Sequence, residues 1–249
     1  MSFSRSKLNR YVHLLGLGLV AVLAGCGSDD VAKPTAAKTT DEPTSTAAPQ
    51  DIMSFPPLAP IEPGAYFIDP DHDPSTPLRV VYRVAADGWS QWVGAGKFAG
   101  DGHVGVSITT VVNLVRHGCR DHSRPDPPIG PTVDDLAAAL ADLAPFRVTS
   151  PPKDVTIYGY SGSHLELTVP KIDFTGCAGG QLKSWVAPFD VAEEGDAFYG
   201  YTDPGYTEEF WILDVDGSRL MIAAERSPDS PSEDIAEMRA VLESIQIDP

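Results

Sequence analysis

The stretch LVRHGCRDHSRPD places four side chains that can ligate a metal or take part in catalysis within six positions: His117, Cys119, Asp121 and His122. Thiolate, imidazole and carboxylate groups are the usual protein ligands of zinc. A cysteine activated by a neighbouring histidine is also a catalytic nucleophile, and a cysteine can equally form half of a disulfide. The residue types and their spacing leave these three interpretations open.

A second stretch, YGYSGSH, approaches the Gly-x-Ser-x-Gly motif of a hydrolase nucleophile. Ser163 replaces the final glycine of the motif, and the following residues alternate as in a strand, where the motif requires a helix. We therefore expect Ser161 and Gly162 to form a hairpin turn. The alternative is a hydrolase that uses Ser161, His164 and Glu166, because His164 and Glu166 would share one face of a strand.

The N-terminal segment has the organisation of a bacterial secretion signal. Arg5, Lys7 and Arg10 form a positively charged head, and an apolar run follows it. This run is shorter than the roughly 20 apolar residues that a membrane-spanning helix needs. Its end, the sequence LAGC at 23–26, resembles the lipobox of bacterial lipoproteins.

The resemblance to a lipobox implies that residues 1–25 are removed as a signal peptide. It also implies that Cys26 is diacylated on its thiol, with palmitate-type chains, and acylated on its new amino group. Two or three acyl chains hold a protein firmly to a bilayer. We therefore expect a lipoprotein anchored at the extracytoplasmic face of the cell membrane, and the alternative is an ordinary signal peptide with an incidental cysteine. Residues 26–60 are expected to be the lipidated cysteine and a disordered tether.

Assignment of Cys26 to the anchor leaves two cysteines in the chain, Cys119 and Cys177. Paired cysteines outside the cytoplasm oxidise and persist, so we expect a disulfide between them. His117 and His122 then have no thiolate beside them and could still bind a metal with Asp121, whereas a zinc site usually needs three or four well-placed ligands. A metal-binding lipoprotein that uses these histidines stays the weaker alternative.

Charge excludes two classes of partner for the folded part. The formal charge of the 249-residue chain is −17, and removal of the basic signal segment makes it more negative by three. Nucleic acids bind basic surfaces, and anionic lipid headgroups do likewise, so neither is expected to bind the folded domain. Cationic partners, metal ions and neutral ligands stay open. No cofactor and no catalytic residue is predicted.

Residues 61–249 predict a single α+β globular domain. The sequence GPTVDDLAAALADLAP predicts a helix capped by Thr132, and a second helix near the C-terminus is expected to begin at a capping box with Ser230. Asp216-Gly217 is a type I′ turn pair between two apolar runs. The remaining strands are predicted at 64–69, 78–85, 103–115, 154–160, 164–170 and 181–188. This order favours a mostly antiparallel sheet covered by two main helices.

The runs GPTVDDLAAALA, DVTIYGYSGSHLELTVP and FWILDVDGSRLMIAAERSPDSPSEDIAEMRAVLESIQID resemble a group of secreted actinobacterial proteins and lipoproteins of unassigned function. The closing order of hairpin, helix and short strand is also similar to the Mog1/PsbP-like fold, an antiparallel sheet between helices. These resemblances imply a compartment and a shape, and they supply no catalytic motif. We expect a non-enzymatic domain that binds a ligand or an envelope partner.

One stretch, GDAFYGYTDPGY at 195–206, is rich in tyrosine and reads as a loop. Exposed aromatic residues on a loop are typical of partner-binding surfaces. We therefore predict that Tyr199, Tyr201 and Tyr206 form such a surface, whereas most other aromatic residues are expected in the core.

Overall fold

The computed structural model describes residues 48–248, with the exception of 74, 99, 101, 112, 189–197 and 202. The signal segment, Cys26 and most of the predicted tether lie outside the described residues. The described part is an α+β fold, as predicted, with mainly antiparallel sheets and two helices packed on them. None of the helices in this part is long and apolar enough to cross a membrane.

A seven-stranded antiparallel sheet is the centre of the fold. Its strands, in spatial order, are β4 (Ser90–Trp92), β5 (Gly94–Lys97), β6 (Val104–Thr110), β13 (Ser218–Arg226), β12 (Thr207–Val215), β9 (Tyr160–Thr168) and β8 (Arg147–Ile157).

Two smaller sheets and two helices complete the described part. One sheet has four strands, in the order β1 (Gln50–Asp51), β2 (Gly64–Ile68), β3 (Arg79–Val84) and β14 (Gln246–Asp248). The other has three, in the order β11 (Phe198–Tyr201), β10 (Leu182–Val186) and β7 (Asn113–Leu114). The helices are α1 (Val133–Ala141) and α2 (Ser232–Glu243), and short 3-10 helices occur at Ile52–Ser54, Phe174–Gly176 and Ala178–Gly180.

The central sheet has a buried core on each of its faces, because successive strand residues point to opposite sides. Along β12, Leu213 and Val215 belong to the core that also contains residues of α2 and the four-stranded sheet. Phe210 and Ile212 belong to the other core, which contains residues of α1 and Trp185 of the three-stranded sheet. The two sides are called the α2 face and the α1 face below.

The hairpin of β12 and β13 sets the register of the central sheet. Asp216 and Gly217 both have positive φ, at 50° and 86°, which confirms the predicted type I′ turn. This two-residue turn places Val215 opposite Ser218, and every later pair follows from it.

The two helix starts differ in how their backbone N–H groups are satisfied. The predicted cap of α1 is confirmed, since Thr132 accepts a hydrogen bond from the backbone of Asp135 and the Asp135 carboxylate accepts one in return. The capping box predicted for α2 is wrong. Pro231, whose side chain has no hydrogen-bond acceptor, stands at the N-cap position, and the Ser230 hydroxyl donates to the carbonyl of His103.

Three predicted boundaries also change. The folded unit includes β1 and Ile52, whose side chain is fully buried, so the domain begins before residue 61. The predicted strand at 103–115 is split between β6 and β7, which belong to different sheets. Strand β8 includes Pro151 and Pro152, although proline usually disfavours a strand. It lies at the edge of its sheet, and an edge strand tolerates residues that lack an N–H.

Candidate functional site

The structure contains the expected disulfide between Cys119 and Cys177, whose Cα atoms are 4.5 Å apart. Two backbone hydrogen bonds flank it. The N–H of Ala178 donates to the Cys119 carbonyl at 2.7 Å, and the N–H of Lys183 donates to the Gly118 carbonyl at 2.9 Å. The loop of the first cysteine is thereby attached to the start of β10.

The histidines of the same loop are used within the loop. His117 Nδ1 accepts hydrogen bonds from the backbone N–H groups of Cys119 and Arg120, and the Arg120 guanidinium lies against its Nε2. His122 Nε2 lies 2.8 Å from the carbonyl oxygen of Gly118. Within the described ranges, no group of three or more His, Cys, Asp or Glu residues is placed to hold a metal ion. The structure therefore does not bring the zinc-type ligands of this stretch together.

Ser161 and Gly162 do not form the predicted hairpin turn. The turn is made by Tyr158 and Gly159, which both have positive φ, and Ser161 lies in β9. By strand alternation, Ser161 shares the α1 face with Leu165, whereas His164 and Glu166 lie on the α2 face.

On the α2 face, His164 and Glu166 contact side chains of the neighbouring strands of the sheet. His164 Nε2 lies 3.8 Å from Glu209 Oε2, and the imidazole ring packs 5.1 Å from the ring of Trp211. Glu166 accepts a hydrogen bond from the hydroxyl of Thr149 at 2.5 Å. The residues of the predicted hydrolase set are thus separated by the sheet itself.

Gly162 packs closely against β12, so substitutions at Gly162 and at Ser161 should differ in their effect on stability. A Cβ at this position would lie 2.0 Å from the carbonyl oxygen of Ile212 in β12. We expect Gly162→Ala to destabilise the fold by about 1–3 kcal/mol, because the two strands must move apart. Ser161→Ala should change stability by less than about 0.5 kcal/mol, since its side chain is exposed. Urea unfolding of both variants measures this, and equal effects would contradict the packing role.

The predicted tyrosine loop is largely a strand. Tyr199 and Tyr201 lie in β11, and the structure corrects the loop interpretation for both. Tyr201 is only 4% exposed, and the ring of Tyr199 stacks on that of Trp185 with centroids 4.6 Å apart. Tyr206 is half-buried, with its ring 5.4 Å from that of His103. The partner-binding role of these tyrosines stays a prediction.

The tyrosines face two buried carboxylates that the sequence analysis did not single out. Glu208 of β12 and Glu225 of β13 lie directly opposite each other on the α1 face, and they are 2% and 3% exposed. Together with their hydrogen-bond partners they form what we call the tyrosine–glutamate cluster. Its members are His103, Trp185, Tyr199, Tyr201, Glu208 and Glu225.

All four carboxylate oxygens of this cluster have a partner. The Tyr201 hydroxyl donates to Glu208 Oε2, and Trp185 Nε1 donates to Glu208 Oε1 at 3.3 Å. The Tyr199 hydroxyl donates to Glu225 Oε2, and His103 Nε2 lies 2.8 Å from Glu225 Oε1. Buried polar groups are stable when they are hydrogen-bonded in this way, so the cluster is complete without a ligand.

Burial controls the electrostatics of the cluster. It raises the pKa of Glu208 well above the usual carboxyl value, and the charge of Glu225 raises it further, while the hydrogen bond from Trp185 acts in the opposite direction. The pKa of Tyr199 is also raised well above its usual value, first by burial and then by the two carboxylates. Burial therefore shifts the Glu208 carboxyl group toward its neutral form.

A glycine makes room for the second carboxylate. Gly105 of β6 lies opposite Glu225 in the sheet. A Cβ on Gly105 would lie 2.9 Å from Glu225 Oε1. The missing side chain on β6 therefore lets the Glu225 carboxyl group lie across the neighbouring strand.

A cleft of about 400 Å³ lies on the α1 face, near the turn of the β12–β13 hairpin. It is lined by Pro131, Thr132, Val133, Asp134, Ser161, Gly162, Asp214, Gly217 and Arg219. We call this the Arg219 cleft. A smaller cavity of about 160 Å³ lies elsewhere, against Asp51, Met53, Asp69 and His72.

Arg219 is held in the Arg219 cleft by main-chain oxygens. Its guanidinium donates to the carbonyl of Gly130 at 2.6 Å, of Thr132 at 3.1 Å and of Val111 at 3.2 Å. Burial lowers the pKa of Arg219, and Asp135 partly offsets this. Carbonyl oxygens carry no full charge, so the guanidinium charge is solvated by the protein without a carboxylate bonded to it in the described structure.

Comparison with family models and curated sequences supplies no function by likeness. No protein-family model matches the chain, and no curated protein matches its sequence. A fold alone does not imply an activity. The Arg219 cleft and the tyrosine–glutamate cluster are therefore the features of this chain that can indicate a function.

Proposed function

We propose that the chain is a lipid-anchored envelope protein whose folded domain is a non-enzymatic binding domain, with a small polar ligand held in the Arg219 cleft. The observation that carries the proposal is the cleft itself. Its volume falls in the range of roughly 300–1,000 Å³ that is typical of small-molecule sites.

The lining of the Arg219 cleft favours a polar ligand. The hydroxyl-bearing residues Thr132 and Ser161 and the carboxylate-bearing residues Asp134 and Asp214 surround the cationic Arg219. These groups come from the start of α1, from β9 and from the β12–β13 hairpin, so three packed elements position them. A binding role is favoured over hydrolysis because the serine is separated from His164 and Glu166 by the sheet.

The compartment is supported by two observations of different kinds. The sequence ending at Cys26 resembles a lipobox, and the described domain contains a disulfide between Cys119 and Cys177. Disulfides persist in oxidising, extracytoplasmic environments. An anchored domain at the outer face of the membrane accounts for both.

Filling the Arg219 cleft with a large side chain tests whether a ligand binds there. Ser161→Trp adds a large side chain at an exposed strand position that lines the cleft. We expect native mass spectrometry of the wild-type chain, extracted from its own envelope in mild detergent, to show a bound small molecule. We expect Ser161→Trp to lack this mass, because the indole occupies the space.

The matched control is Ser232→Trp, which adds the same side chain at an exposed position at the start of α2. It should keep the bound mass. Retention of the bound mass by Ser161→Trp would contradict the proposal. A wild-type protein that carries no small molecule, and that amino acids, sugars or nucleosides do not stabilise, would also contradict it. The same preparation tests the lipid anchor, because the Cys26→Ser variant should be released from the membrane fraction.

A further inference from the structure

The charges of the tyrosine–glutamate cluster do not balance when both carboxyl groups are ionised. Glu208 and Glu225 face each other in the core, and among the described residues that bond them His103 is the one basic side chain. Two carboxylates that share a buried site resist simultaneous ionisation. A pair that holds one proton avoids two negative charges side by side in the core.

Three residues that donate hydrogen bonds to the two carboxyl groups belong to the three-stranded sheet. Trp185 belongs to β10, and Tyr199 and Tyr201 belong to β11. All three donate across the interface between the three-stranded sheet and the central sheet. The carboxyl pair is thus a hydrogen-bonded attachment point between two sheets.

Other ionisable groups surround this attachment point. Tyr206 lies in the connection between β11 and β12 and interacts electrostatically with Glu225. Asp203, in the same connection, interacts electrostatically with Tyr206. Lys183 is buried in β10 with an interaction of its own. Arg226 and Arg239 act on Glu209, which lies on the α2 face of β12.

We propose that the Glu208–Glu225 pair is a proton-dependent latch between the three-stranded sheet and the central sheet. With one proton on the pair, β10 and β11 are held against β12 and β13. Loss of that proton at alkaline pH leaves two negative charges side by side in the core. The three-stranded sheet then loosens, and Tyr199 and Tyr201 become accessible.

The direction of the pH dependence follows from the raised pKa of Glu208. The folded state holds this proton more tightly than the unfolded state, in which the carboxyl has its usual pKa of 4.5. The stabilising contribution is therefore fully present below about pH 4.5 and is lost as the pH rises through the folded-state value. The latch closes in acid and opens in base.

The test is hydrogen exchange measured by mass spectrometry on the full chain, from about pH 5 to about pH 9, after correction for intrinsic exchange. In the wild type, we expect protection of β10 and β11 to fall relative to β13 by about tenfold for each pH unit over which only the folded state keeps the proton. Glu208→Gln mimics the neutral carboxyl group, so its relative protection should be independent of pH.

Glu209→Gln is the matched control, because it changes the adjacent residue of β12 on the other face, where Glu209 pairs with Arg239. It should keep the wild-type pH profile. An equal pH slope in Glu208→Gln and wild type overturns the latch, as does loosening in acid.

Should Glu208→Gln fail to fold, Glu225→Gln removes the second negative charge, and its pH step should be smaller than that of the wild type, because burial alone still raises the pKa of Glu208. The wild type alone gives an independent readout. Its infrared spectrum at neutral pH should contain the carbonyl band of a protonated carboxylic acid, lost at alkaline pH. A spectrum without that band overturns the proposal.

Discussion

Reduction of the Cys119–Cys177 disulfide is expected to lower the free energy of unfolding by about 4 kcal/mol. The two cysteines are separated by 58 positions, so the bond closes a long loop in the unfolded chain and reduces its conformational entropy. Guanidinium unfolding with and without reductant measures the difference. The midpoint of the reduced protein should move to a lower denaturant concentration.

The control for reduction is the double variant Cys119→Ser/Cys177→Ser. It should unfold like the reduced wild type and should not respond to reductant. A wild-type midpoint that reductant leaves unchanged would contradict the prediction. Because the loop also bonds to β10 through the Gly118 carbonyl, the reduced protein should lose exchange protection first at the start of that strand.

Trp185→Ala is expected to destabilise the fold by about 3–5 kcal/mol. The side chain is 1% exposed, and it packs in the core on the α1 face together with Leu136 and Leu140 of α1. Its removal leaves a cavity, ends the stacking on Tyr199 and leaves Glu208 without one of its donors. Denaturant unfolding at neutral pH measures the loss.

Trp185→Phe separates packing from hydrogen bonding at this position. Phenylalanine keeps an aromatic ring and removes Nε1, so we expect a loss of about 1 kcal/mol. The pKa of Glu208 should rise further, since the bond from Trp185 lowers it. Equal destabilisation by the alanine and phenylalanine variants would contradict the cavity argument.

The two sites occupy opposite ends of one hairpin. The Arg219 cleft includes Asp214 and Gly217, close to the β12–β13 turn, and the tyrosine–glutamate cluster includes Glu208 and Glu225 at the open end. Both lie on the α1 face of the central sheet. The pairing of the two strands therefore positions residues of both sites.

Several features of this protein follow from local sequence. The Asp216-Gly217 pair adopts a type I′ turn because both residues tolerate positive φ, and Thr132 caps α1 because its hydroxyl reaches the first free N–H groups. The disulfide between Cys119 and Cys177 follows from the number of cysteines once Cys26 is assigned to a lipid. Each of these depends on few residues or on a count.

The position of the two glutamates is also encoded locally. The two-residue turn sets the register of β12 and β13, which places Glu208 opposite Glu225. Strand alternation then puts Glu208 on the same side as the apolar Phe210. Register and alternation were therefore the signal that could have found the pair.

Their burial could not be derived in this way. The glutamates are buried because Trp185, Tyr199 and Tyr201 from the three-stranded sheet cover them, and that sheet joins β7, β10 and β11 from distant parts of the chain. The same long-range pairing splits 103–115 between two sheets and turns an expected tyrosine loop into a strand. Turns and caps are determined by neighbours in sequence. Which face of a strand is covered, and hence whether a carboxyl is charged, depends on segments far away in the chain and is decided only by the tertiary structure.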